Sequence, residues 1–159
     1  MILLDIDGVL VPANSWKQPG FMADGFPMFN PRSVKALQRI LSETSASVLL
    51  TTSHKTKYNA AQWRDLLKLR GIEPRKVQRL TTNSLLISRK EEILQWYASK
   101  HVPDEAFVII DDDKMLNELP LNIKKNLVLT SSSVGLTDEL ADEAISILRM
   151  RQGASENKT

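Results

Sequence analysis

The chain has 159 residues, 42% of them hydrophobic and 25% charged, with a net charge of +2, which is the make-up of a globular protein with one core and no room for a second domain. No apolar run is long enough to span a membrane, and a strand-like run begins at once, leaving no place for a secretion signal and pointing to a cytoplasmic protein. There is no cysteine, which excludes disulfides, zinc-thiolate sites and thiol nucleophiles.

The opening run Met1-Ile2-Leu3-Leu4 reads as a buried strand that delivers Asp5, Asp7 and Gly8. Residues 11–30 contain Pro12, Pro19, Gly20, Gly25 and Pro27 and read as a loop too broken for an inserted domain. Asn30-Pro31 starts a helix, with Asn as its cap and Pro in the first turn, and Val34, Leu37, Ile40 and Leu41 form its apolar stripe. A strand from Ser47 to Thr51 follows, then a helix from about Asn59 to Arg70 that Gly71 stops. Val77 to Leu80 reads equally as a short strand or a loop. Ser88 and Glu91 have capping-box spacing and predict a helix to about Lys100 that buries Ile93, Trp96 and Tyr97. A strand from Phe107 to Asp111, a short helix from Asp113 to Leu119 and a strand from Asn126 to Thr130 come next. Thr137 caps a last helix, and the small polar residues 152–159 predict a disordered tail after a single domain at 1–151. Strands alternating with helices predict an α/β fold in three layers with a parallel sheet.

Three of these apolar runs end in residues suited to chemistry. Asp5-x-Asp7 closes the first, Thr51-Thr52-Ser53 the second, and Asp111-Asp112-Asp113 the third. Ligands of open parallel sheets bind outside the carboxyl ends of the strands, so these groups are expected to meet in one crevice. Taken alone, Asp5-x-Asp7-Gly8 is also what a strand running into a turn looks like. Paired carboxylates resist ionising together unless a cation compensates them, and the hard oxygen-seeking cation suited to them is Mg2+. No glycine-rich nucleotide-binding loop is present. His54 reads as an exposed loop residue or a substrate contact, His101 as a helix-end residue, Trp63 and Trp96 as packing, and Trp16 and Phe21 as candidates to contact a base or a lid.

With these strand ends in view, the chain resembles the phosphatases of the haloacid dehalogenase (HAD) superfamily. Asp5-Ile6-Asp7-Gly8-Val9 resembles the first motif of that superfamily, Thr51 the second, Arg89-Lys90 the third and Asp111-Asp112 the fourth. The stretches Arg89 to Trp96, Val108 to Asp113 and Gly135 to Thr137 are similar to the HAD domains of Swiss Army Knife RNA repair proteins. The resemblance implies a Rossmann-like HAD fold with no large cap domain. It also implies that Asp5 is a nucleophile forming an aspartyl-phosphate, and that Asp7 protonates the leaving oxygen and then activates water. Asp5, Asp7 (through its backbone carbonyl) and Asp111 are implied as ligands of Mg2+, with Asp112 as a ligand through water or as an orienting residue. Thr51 and either Arg89 or Lys90 are implied to act on the transferring phosphoryl group, with Thr52 and Lys55 as substrate contacts.

A site without a cap is open, and open members of the superfamily act mainly on large substrates. Between His54 and Arg79, eight basic residues outnumber Asp65 and Glu73 and give that segment a charge of roughly +6. Such a run is commonly a solvated face, yet it follows Thr51 directly and suits a phosphate polymer. The expected substrate is therefore an RNA or DNA end with a terminal phosphate, with association with other nucleic-acid repair components left open. The competing readings are a small-molecule or nucleotide phosphatase and a regulatory module that binds metal and phosphate without turnover.

Overall fold

The computed structural model describes residues 1–13, 20–81, 87–99 and 105–156. Trp16 and His101, singled out from the sequence, lie outside them. Five strands form one sheet: β1 (Ile2–Leu4), β2 (Val48–Leu50), β3 (Val77–Arg79), β4 (Val108–Asp111) and β5 (Leu127–Leu129). Every pairing is parallel and the order is β3-β2-β1-β4-β5, so β1 is central and the chain reverses direction across the sheet on either side of it. The undecided segment at Val77 to Leu80 is thus a strand, at the sheet edge.

Side chains alternate between the two faces of a strand, and here each face has its own core. Ile2, Leu4, Val48, Leu50, Val108, Ile110 and Val128 join one buried cluster, which receives helices α1 (Pro31–Thr44), α2 (Ala60–Leu69) and α5 (Asp138–Glu156). Leu3, Leu49 and Ile109 join the other, beneath helix α3 (Arg89–Ser99), a 3-10 turn at Lys114–Glu118 and the single-turn helix α4 (Leu121–Lys124). Both faces of the three central strands are covered, which is why their sequences are unbroken apolar runs.

The caps follow the local chemistry. Asn30 Oδ1 accepts the backbone N–H groups of Arg32 and Ser33 at the start of α1, and Asn59 with Gln62 forms a reciprocal capping box on α2. Ser88 Oγ accepts from Glu91 N–H, and Thr137 Oγ1 from Leu140 N–H. Trp63 is fully buried. Trp96 and Tyr97, expected to be buried, are only partly covered; they lean edge-on or tilted against Phe107 at 5.2 and 6.0 Å. Helix α5 runs to Glu156, into the stretch from Gln152 where composition predicts disorder, and residues 157–159 lie outside the described part. Among the described residues no helix is long and apolar enough to cross a membrane.

Candidate active site

The backbone ladder continues one residue beyond β1 and β2, with Asp5 N–H bonded to Ile110 O at 3.1 Å and Thr51 N–H to Leu4 O at 3.0 Å. The alternation that sends Leu3, Leu49 and Ile109 toward α3 therefore also sends Asp5, Thr51 and Asp111 to that side. Helix α3 meets them with Arg89, whose Nη1 lies 2.6 Å from Asp111 Oδ2 and 3.5 Å from Asp5 Oδ1. Three strand ends and one helix start thus converge on a single polar site.

Carboxylate oxygens of Asp5, Asp111 and Asp112 lie within 4.8 Å of one another. Asp5 and Asp111 are buried, so desolvation opposes their charges, and Arg89 supplies one positive charge against three acids. Burial first, and then the neighbouring Asp111, push the Asp5 carboxyl up to about 8, against the pull of Arg89. Asp111 is also raised, chiefly by burial, with Arg89 opposing. Burial works against the Arg89 charge as well, but Asp111 and Asp5 outweigh it and hold the guanidinium above its ordinary value. A set of hard oxygen donors with an uncompensated negative charge fits a magnesium ion, which would let all three acids ionise together.

Gly8 makes room for this cluster. Its φ is +80°, and a Cβ at that position would lie 2.0 Å from Asp112 Oδ2. Its carbonyl accepts the buried Thr130 hydroxyl at 2.8 Å, which fixes the turn after Asp7 to the end of β5. Gly8→Ala is expected to displace the Asp112 carboxylate, to weaken magnesium binding and to destabilise the fold by about 1 kcal/mol or more, because L side chains are strained at this φ. Calorimetric titration with magnesium and a thermal melt measure the two effects, and an unchanged affinity would remove Asp112 from the metal site.

Thr51 is fully buried, yet its hydroxyl oxygen has no hydrogen-bond partner among the described residues. A buried unsatisfied hydroxyl at a strand end is a donor suited to an incoming ligand oxygen. Thr52 is used within the protein: its side chain caps the 3-10 turn Ser53–Lys57 by accepting from His54 N–H at 3.3 Å. Asp7 is exposed, stands outside the carboxylate cluster and pairs with His54 Nε2 at 2.7 Å. Asp113 caps the 3-10 turn that follows β4.

The two basic candidates at the start of α3 separate cleanly. Arg89 enters the site, whereas Lys90 turns away toward Glu118 at 3.4 Å, because adjacent helical residues point about 100° apart. Lys55, expected as a substrate contact, is instead buried with its Nζ 3.0 Å from Glu92 Oε2. Arg70 is also withdrawn from the surface: its guanidinium is bonded to both oxygens of Asp24 and lies over the rings of Phe26 and Phe29. That pairing holds the Asp24 carboxyl below its usual range. Lys57, Arg64, Lys68, Arg75 and Lys76 remain exposed, as does Phe21.

A search of curated proteins finds no match to the chain. The family described as the HAD domain in Swiss Army Knife RNA repair proteins matches residues 1–141, a span that contains every strand of the sheet and all the residues of the site. Family membership points to a phosphohydrolase, and the carboxylate cluster is compatible with the magnesium that such enzymes generally use. With the central β1 ending in Asp5, the acid cluster at β4 and a match over most of its length, the chain belongs to the HAD family as a domain without a cap.

Proposed function

We propose that this domain is a magnesium-dependent phosphohydrolase that removes a terminal phosphate from a polynucleotide end through an aspartyl-phosphate on Asp5. The observation that carries the reading is the meeting of Asp5, Asp111 and Asp112 with Arg89 at the ends of the central strands. Phosphoryl transfer asks for in-line positioning and for neutralisation of the phosphoryl oxygens, and little else from the protein. Asp5 attacks phosphorus, Asp7 gives a proton to the leaving oxygen, and the same Asp7 then takes one from the water that releases Asp5. The Thr51 hydroxyl and the Arg89 guanidinium hold the phosphoryl oxygens. Asp5, Asp111, Asp112 and the Asp7 carbonyl would hold the magnesium ion, which would supply further positive charge to the phosphoryl group.

The family description and the basic exposed side chains after β2 support a polynucleotide. With Lys55 and Arg70 buried in ion pairs and Arg79 half-buried and bonded to Lys55 O, the exposed cations of that surface are Lys57, Arg64, Lys68, Arg75 and Lys76. Those lysines and arginines can follow a phosphate backbone that leads to the site, without reading bases. Affinity for a phosphorylated oligonucleotide is expected to fall steeply as salt rises. Replacing Lys57, Lys68 and Lys76 with Gln should flatten the logarithmic slope by roughly 0.7 to 0.9 for each phosphate deprived of its cation. A mononucleotide should respond far less. Equal salt dependence for the two substrates, unmoved by the replacements, would leave a small-molecule or nucleotide phosphatase as the better reading.

A further inference from the structure

We propose that His54 is a positioning residue for Asp7, fixing the carboxyl that moves the proton during phosphoryl transfer; this rests on the phosphohydrolase reading above. The 2.7 Å separation of His54 Nε2 and Asp7 Oδ2 is that of a short, well-formed side-chain hydrogen bond. Asp7 is exposed and stands apart from the three clustered acids. An exposed aspartate samples several rotamers unless something holds it, and the bond to His54 is what holds this one.

The histidine is itself held from two directions. Its backbone N–H is tied to Thr52 Oγ1 in the 3-10 turn at 3.3 Å. Its ring meets Phe26 edge-on, with centroids 5.5 Å apart and planes at 87°. Phe26 is buried, packs edge-on against Trp63 at 5.6 Å and lies beneath the Arg70 guanidinium. The imidazole therefore has a firm wall behind it and a carboxyl in front.

With Oδ2 bonded to the His54 ring, Oδ1 is the oxygen of Asp7 left to face the leaving group. In the first half of the reaction a bond forms between an Asp5 oxygen and phosphorus. The bond from phosphorus to the leaving oxygen breaks, and the Oδ1 proton passes to that oxygen. In the second half a water oxygen bonds to phosphorus, the water proton passes to Oδ1, and the Asp5 oxygen departs with its electron pair.

The test compares kinetics on an alkyl phosphate, whose leaving oxygen needs a proton, with 4-nitrophenyl phosphate, whose leaving group needs little help. His54→Ala should lower kcat on the alkyl ester on the order of tenfold, a fraction of what a well-placed general acid contributes. The fall on the aryl ester should be smaller and KM unchanged on both. His54→Gln, which keeps a donor, should recover part of the loss. An equal fall on both esters, or a change in KM alone, would overturn the proposal. A second readout needs no substrate: three-bond NMR couplings to Asp7 Cγ should report one rotamer in the wild type and an average in His54→Ala. An averaged Asp7 in the wild type overturns the positioning role. A single rotamer that is lost in His54→Ala, in a protein inert toward every phosphate ester, would uphold that role and reject the phosphohydrolase reading alone.

Discussion

Asp5→Asn should reduce phosphate release to background and, at the same time, make the metal-free protein more stable at pH 8. The amide keeps the shape of the side chain but is no nucleophile, so turnover ends with the aspartyl-phosphate step. The gain in stability follows from linkage. Asp5 titrates at about 8 in the folded chain against an ordinary value of 3.8, so between these pH values the folded state binds a proton that the unfolded state has lost. Stability must then fall as pH rises through this window, reaching its lowest contribution above the folded value. Asparagine carries no such penalty. In EDTA, the melting temperature of the wild type should decline between pH 5 and pH 8 more steeply than that of Asp5→Asn, and the variant should be more stable at pH 8 by about 1 kcal/mol or more. Magnesium should restore the wild type at pH 8 and do little at pH 5. A folded Asp5→Asn protein with substantial turnover would refute the covalent mechanism, and parallel pH profiles would refute the strained carboxyl.

The largest loss of stability should come from Glu92→Ala. Its carboxylate and the Lys55 ammonium are both buried, about 90% removed from solvent, with 3.0 Å between them. Removing one partner strands the other charge in a low-dielectric interior, a change that costs about 3 to 5 kcal/mol. For a chain of this size that corresponds to a fall in melting temperature of roughly 10 °C. Replacing both residues together, as Lys55→Met with Glu92→Leu, should recover most of the loss, since paired apolar side chains leave no orphaned charge. Thermal melts of the three variants decide this. A mild Glu92→Ala variant, within about 1 kcal/mol of the wild type, would mean that Lys55 reaches solvent by itself.

The sheet and the acids of the site are legible in the sequence because they depend on short-range pattern. Unbroken runs such as Leu3-Leu4 and Val108-Ile109-Ile110 mark strands covered on both faces, and the acids and threonines that end them mark the carboxyl edge of the sheet. Val77 to Arg79 is ambiguous because an edge strand is only half covered: Gln78 is exposed and Arg79 partly so. Helix α4 has a single turn, too short for any periodicity to show. Which of Arg89 and Lys90 faces the acids is a matter of helical phase, and the buried Glu92 and Ile93 mark the face that carries Arg89. Lys55 misleads because Ser53-His54-Lys55-Thr56-Lys57 reads as a solvated loop. Its burial depends on Glu92, which is distant in sequence, and no local pattern carries that information. The hydrogen bond between His54 and Asp7 is hidden for the same reason.

The position of β1 bears on how the molecule can fail and how it can vary. Two strands lie on either side of it, and the amide of Asp5 is bonded across to Ile110 while Thr51 is bonded back to Leu4. These amides can exchange with solvent only when the middle of the sheet opens, which is the event of greatest free energy in a cooperative domain. Fraying of helix ends leaves Asp5, Thr51 and Asp111 in register. The sheet therefore confers durability on Asp5, Thr51 and Asp111, whereas Asp7 leans on His54 in the turn after β2 and on Phe26 behind it, both outside the ladder, so the handling of the leaving group can change while the nucleophile and the metal-binding acids stay fixed.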